Sequence, residues 1–193
     1  MEFEFHVTLN DLSQQEKETF IRICNEENVK PVMIELDQGE HIHQPMITGV
    51  VHSEDYQDVE RVIEGISMKF RDIGFTVMRT KVEIPAKEER FFDQPMLPQS
   101  RPYFEWHGKV QVEDVNRLKH ICAGTGGHIS RNSLHKDGSI RFVTVREYEY
   151  ADHFYDSVEE IHTILRTNQI ELLKQQYELC IYDSREELDR GWI

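Results

Sequence analysis

The chain has 193 residues, of which 38% are hydrophobic and 30% are charged, and its formal net charge is −14. This composition is typical of a globular protein with a buried core. The acidity, together with the lack of any Lys/Arg-rich run, excludes generic DNA or RNA binding. No apolar run approaches the roughly 20 residues of a membrane span, and the amino terminus lacks a signal-peptide pattern. Three widely spaced cysteines indicate reduced thiols and a cytoplasmic protein.

The first 85 residues follow strand and helix patterns in the order β-α-β-β-α-β. The opening strand EFEFHVTL alternates between apolar and polar residues. Ser13 with Glu16 forms a capping box ahead of a helix. The segment KPVMIELDQGEHIHQPMITGVVH reads as two strands around an Asp-Gln-Gly turn. Ser53 is predicted to cap a second helix, Gly74 to end it, and the strand FTVMRTKVEI to end at Pro85.

The same order of elements returns after a break in the pattern. Residues 86–101 are charged, then rich in proline, and have neither the strand nor the helix period, which predicts a linker. Over residues 102–193, YFEWHGKVQV reads as a strand and EDVNRLKHICA as a short helix. A hairpin turning at Lys136-Asp137-Gly138 follows, and then a helix and the strand QQYELCIYDS.

Positions that match between the two segments indicate an internal duplication. His6 corresponds to His107, and Thr48 corresponds to Thr144. The βαββαβ order is the ferredoxin-like motif. We therefore predict an α+β protein of two tandem ferredoxin-like units, residues 1–85 and 102–193, that form one bilobal molecule.

The pleat of the first strand determines which side chains lie on the uncovered side of the predicted sheet. The helices cover the apolar residues, so that His6 and Thr8 point away from them. In the ferredoxin-like strand order, Arg79 and Lys81 lie beside this pair, and Thr48 flanks it from the other side. Such a cluster can hold an anion, because Arg, Lys and Thr donate hydrogen bonds and His transfers protons near neutral pH. The alternative is an ordinary solvated sheet face.

The string FHVTL resembles the first signature of the 2H phosphoesterases, bilobal enzymes with two His-x-Thr/Ser motifs that face each other across a cleft. The resemblance implies that His6 and His107 act as general acid and base. In the second motif, WHGKV, Lys109 replaces the hydroxyl residue. The strand at the family's second-motif position carries Arg79 and Lys81 instead of a histidine.

The implied function is a metal-independent phosphodiesterase that needs no cofactor and acts on a small anionic ligand or a nucleotide. The residues expected to hold the phosphate are Thr8, Thr48, Arg79, Lys81 and Lys109. The alternative is a non-catalytic module that binds a ligand or another protein on its open sheet faces. The sequence leaves the oligomeric state open.

Two weaker signals remain. His41 and His43 share one face of an extended stretch and are candidate metal ligands, although their spacing fits surface histidines better. The strings GHISRN, RFVTVRE and IYDSREELDRGWI are similar to the carboxy-terminal part of an uncharacterised bacterial protein family.

Overall fold

A computed structural model describes residues 1–98 and 100–193, so that position 99 of the predicted linker lies outside the described residues. The elements of the first half are β1 (Glu2–Leu9), α1 (Gln14–Glu26), β2 (Lys30–Leu36), β3 (His43–His52), α2 (Tyr56–Asp72) and β4 (Val77–Pro85). The short helix α3 (Arg90–Asp93) precedes β5 (Tyr103–Gln111), α4 (Val115–Cys122), β6 (His128–Asn132), β7 (Ile140–Glu147), α5 (Ala151–Thr167) and β8 (Leu172–Asp183). Two 3-10 helices, Ala86–Glu88 and Glu186–Asp189, follow β4 and β8. The predicted α+β class is confirmed.

Local signals account for most of the helix ends. The capping box of α1 is confirmed, since the Ser13 amide donates to the Glu16 carboxylate at 2.8 Å and the Glu16 amide donates back to Ser13 Oγ. The cap of α2 is Asp55 and not the predicted Ser53, because the Asp55 carboxylate accepts the Gln57 amide at 2.9 Å. Gly74 follows α2 at φ 100°, a left-handed conformation that favours glycine.

The eight strands form one closed barrel in the order β1-β3-β2-β6-β7-β5-β8-β4. Each half keeps the predicted ferredoxin-like order, and the halves are joined where β2 pairs with β6 and β4 pairs with β8. The prediction of a bilobal molecule with two uncovered sheet faces is therefore wrong. Separate sheets would leave four edge strands with unpaired backbone groups, and the two inter-unit pairings satisfy them.

Closure of the barrel separates an apolar exterior, covered by helices, from a polar interior. The outward side chains of β1 and β5, among them Phe3, Phe5 and Trp106, are almost fully buried in one core cluster. Since neighbouring residues of a strand point to opposite faces, His6 and His107 point into the barrel. We call this interior the lumen.

Across the two described ranges, no helix combines the length and apolarity needed to cross a membrane.

Candidate functional site

Strand register places two matching rows of side chains across the lumen. The row of the first half, on β4, β1, β3 and β2, consists of Lys81, His6, Thr48 and Lys30. The row of the second half, on β8, β5, β7 and β6, consists of Gln176, His107, Thr144 and His128. The predicted positions of Lys81 and Thr48 on either side of His6 are confirmed, and Arg79 lies opposite Thr8.

Protein groups occupy both ring nitrogens of His6. Nδ1 lies 2.9 Å from the hydroxyl oxygen of Thr48, and Nε2 lies 2.8 Å from Oε2 of Glu83. Burial opposes ionisation of Glu83, but Lys81 and His6 outweigh it and lower the pKa of this carboxyl. The ionised carboxylate accepts the Nε2 proton, and Nδ1 then accepts the Thr48 hydroxyl proton. Neither nitrogen of this ring is left to act as a base towards a ligand.

His107 repeats this arrangement in the second half. Its Nδ1 lies 2.9 Å from the hydroxyl oxygen of Thr144. Its Nε2 lies 3.4 Å from Oε2 of Glu105 and 3.6 Å from Oε2 of Glu178. Each half of the barrel therefore contains a Thr–His–Glu triad, in which the carboxylate contact is a hydrogen bond at His6 and is longer at His107.

The ammonium group of Lys81 lies between two buried carboxylates. Nζ is 2.6 Å from Oε1 of Glu83 and also contacts Oε2 of Glu105. Burial disfavours the charge of Lys81, but Glu105 and Glu83 outweigh that effect and raise its pKa. Glu83, Glu105 and His107 form the one grouping with metal-ligand geometry among the described residues, with ligand atoms within 4.8 Å of one another. The positively charged Lys81 ammonium contacts two of these three groups, Glu83 and Glu105.

The two lumenal arginines are held in the same way. Arg79 donates from Nε to Asp183 at 2.8 Å and makes two bonds of 3.0 Å to Asp189. Arg146 donates to Glu105 and Asp189, both at 2.7 Å. Asp189 belongs to the carboxy-terminal 3-10 helix, which inserts this side chain into one end of the barrel. Buried charges are tolerated when they are paired in this way.

The structure brings only part of the predicted phosphate site together. Five of the predicted residues line one lumenal cavity, namely His6, His107, Thr48, Arg79 and Lys81. Thr8 and Lys109 are not among its lining residues. The hydroxyl of Thr8 is buried, with no hydrogen-bond partner in the described part of the chain. A phosphate at Arg79 or Lys81 would have to displace the carboxylates that hold them.

The cavity has a volume of about 200 Å³ and one apolar wall. The barrel order places β2 and β6 across from β4 and β8. The apolar wall therefore faces the pairing of β4 with β8, where Arg79 and Lys81 form ion pairs with carboxylates. The apolar residues that line the cavity are Val32, Ile34, Leu36, Met46, Phe142 and Trp192. Ser130 also lines it and is 5% exposed.

Several lumenal residues were not predicted as site residues. Strand alternation alone would have placed Glu83, Glu105, Glu178 and Arg146 in the lumen, since each lies two residues from a predicted position or from its partner in the register. Asp189 carries no such signal, because it follows the last strand and reaches the lumen only through the chain reversal after Asp183. His41 and His43 are exposed on a surface groove that Thr8 also lines.

No family model matches the chain, and no curated protein matches it. Among solved structures, a chlorite dismutase from Candidatus Nitrospira defluvii in complex with imidazole is 9% identical, with 93% of this chain and 90% of that chain covered and a TM-score of 0.33. A mutant of the same enzyme is 10% identical, with 97% and 94% covered and a TM-score of 0.34. The siroheme decarboxylase NirDL in co-complex with an iron-uroporphyrin III analogue is 10% identical, with 96% and 76% covered and a TM-score of 0.29.

The resemblance to 2H phosphoesterases, and the hydrolase function that it implied, are wrong. The contacts in the lumen overturn them. Both His6 nitrogens are bound by the protein, and Arg79 and Lys81, two of the three cations expected to bind phosphate, are paired with carboxylates.

Proposed function

We propose that the protein is a small-molecule-binding barrel whose lumen holds a compact amphipathic ligand. The observation that carries this proposal is the lumenal cavity, which has an apolar wall on one side and two Thr–His–Glu triads on the other. The two ferredoxin-like units each contribute one triad. The three cysteines are free and buried, which supports a reducing, cytoplasmic location as part of the proposal.

The size of the cavity sets the size of the ligand. An apolar cavity of about 150 Å³ accepts benzene, and the lumenal cavity has a volume of about 200 Å³. A single six-membered ring with one polar substituent therefore fits. Its apolar edge would contact the side chains of Val32, Met46 and Phe142.

The polar side of the cavity offers a hydrogen bond to such a ligand. Ser130 is 95% buried, since its relative exposure is 5%. Among the described residues its hydroxyl forms no hydrogen bond to the protein, and it lies at the cavity wall, where a ligand can reach it. A ligand hydroxyl, amide or amine would supply the missing partner.

Benzyl alcohol tests the proposal, because it combines one ring with one neutral polar group. We expect it to bind the intact protein, measured by calorimetry, and to change the fluorescence of Trp192, which lines the cavity. Val32→Phe fills the lumen and should abolish binding. Val62→Phe makes the same change at an exposed position of α2 and should leave binding intact. Absence of binding to the wild-type protein, or unchanged binding by Val32→Phe, would refute the proposal.

A further inference from the structure

We infer that the ligand carries a positive charge at one end, held beside Glu4, Glu83 and Glu178. This inference rests on the proposed function and adds the chemical class of the ligand, a small organic cation such as a primary amine. It replaces the anionic ligand expected from the sequence.

A second, acidic cavity adjoins the lumen. This cavity has a volume of about 150 Å³, and its charged lining residues are Glu2, Glu4, Glu83 and Glu178, with no lysine or arginine among the lining residues that the structure describes. It shares Glu4, Glu83 and Gln176 with the larger cavity. Because Glu4 and Glu83 line both cavities, a ligand in the larger cavity can place its charged end beside these carboxyls.

Glu178 differs from the other buried lumenal glutamates in lacking a cation. Glu83 and Glu105 are each in contact with Lys81. Glu178 is also more than nine-tenths buried, with 8% exposure. Its nearest donors among the described residues are Gln176 Nε2 at 3.5 Å and His107 Nε2 at 3.6 Å. A hydrogen bond of that length is weak, so this carboxyl is free to accept a ligand donor.

The charges of the two cavities together disfavour an anion. The acidic lining residues number six: Glu2, Glu4, Glu83, Glu105, Glu178 and Asp189. The basic ones number four: Lys30, Arg79, Lys81 and Arg146. Three of those four are already paired with carboxylates inside the barrel. An added carboxylate would meet more negative than positive charge, whereas an ammonium group would offset the excess.

The protonation of Glu178 gives cation binding a measurable signature. Burial raises the pKa of Glu178, and the nearby Glu83 and Glu4 raise it further. A cation bound beside this carboxyl would favour its ionised form, so that cation binding is coupled to loss of its proton. Binding of an ammonium ion should release this proton, so that affinity increases with pH.

Three probes of similar size distinguish a cationic, a neutral and an anionic ligand: benzylamine, benzyl alcohol and benzoate. By calorimetry at pH 7.5 we expect benzylamine to bind at least tenfold more tightly than benzyl alcohol, with proton release, and benzoate not to bind. Benzoate binding as tightly as benzylamine, or equal affinities of benzylamine and benzyl alcohol, would overturn the inference and leave the proposed function standing. If none of the three binds, the proposed function itself fails.

Two variants locate the charged end. Glu178→Gln should weaken benzylamine binding about tenfold and leave benzyl alcohol binding unchanged. Glu4→Gln, at a more exposed position, should act in the same direction if Glu178→Gln folds poorly. Glu60→Gln, on the exposed face of α2, is the matched control. Unchanged benzylamine affinity in both lumenal variants would refute the assignment.

Discussion

The direction of the pKa shift of each lumenal carboxyl depends on the cations in contact with it. Burial opposes the ionisation of Glu105, but Arg146 and Lys81 outweigh it and lower its pKa. At Glu178, burial and the neighbouring Glu83 and Glu4 outweigh the attraction of Lys81 and raise the pKa. Two glutamates on adjacent strands, opposite each other in the register, thus have pKa shifts in opposite directions because of their different neighbours.

The raised pKa of Glu178 predicts a pH-dependent effect of its replacement. When the pKa of a carboxyl is higher in the folded than in the unfolded protein, the free energy of unfolding falls as the pH rises from the unfolded-state pKa towards the folded-state pKa. Glu178→Gln removes this cost. We expect the variant to be more stable than the wild type at pH 7.5, by on the order of 1 kcal/mol, and to show no such gain at pH 4. Urea unfolding at both pH values measures this. A gain of equal size at pH 4 would contradict it.

Replacing Lys81 should have the opposite effect. Lys81→Met leaves Glu83 and Glu105 buried without the ammonium between them, and breaking a buried ion pair costs about 3–5 kcal/mol. Chemical denaturation at pH 7 should show a loss of this order. The loss should shrink in acid, because protonated carboxyls no longer need the cation. Lys174→Met, at an exposed position of β8, should change stability little, and an equal loss there would exclude the ion-pair explanation.

Among the elements, strand β5 depends on a glycine that makes room for a neighbouring indole. A Cβ built on Gly108 would lie 2.2 Å from the ring of Trp106. Gly49 on β3 plays the same part for the ring of Phe5, at 2.4 Å. Glycine at these strand positions therefore permits large aromatic side chains to cover the backbone on the helix side of the barrel.

Two Gly→Ala substitutions should consequently have opposite signs. Gly108→Ala forces the buried Trp106 ring to shift, and overpacking of this kind costs about 1–3 kcal/mol. Gly65→Ala lies on the exposed face of α2 with no atom nearby, and should stabilise by up to about 1 kcal/mol through helix propensity. Thermal unfolding of the two variants measures the difference. Stabilisation by Gly108→Ala would show that the ring is not tightly confined.

Sequence patterns specify the elements well, because their signals are local. Strand alternation and the helix patterns predicted the eight strands and the four longer helices in their observed order, but not α3 or the two 3-10 helices. The pleat correctly placed His6 beside Lys81. The pairing of β2 with β6 and of β4 with β8 was not predicted, since no local pattern encodes contacts between distant edge strands. The lumenal cations were therefore assigned to a ligand, although Glu105 and Asp189 from the other half of the chain hold them.

At the scale of the whole molecule, the two halves share one hydrogen-bonded sheet and one set of charges. Lys81 and Arg79 of the first half are paired with Glu105, Asp183 and Asp189 of the second. Separation of the halves would expose the edges of β2 and β4 and remove these partners. Each half therefore stabilises the other in two ways. The backbones of β2 and β6, and of β4 and β8, are paired, and ion pairs in the lumen join the halves on the β4–β8 side.

This interdependence predicts that the chain unfolds in one cooperative step. We expect a single calorimetric transition whose van't Hoff and calorimetric enthalpies agree. Residues 1–85 produced alone should show little protected amide hydrogen exchange, because two of their four strands lack a neighbour on one side. Mixing them with residues 102–193 during refolding should restore protection at β2 and β4. Two separate transitions in the full chain, or native-like protection in the isolated first half, would show instead that each unit is stable without closure of the barrel.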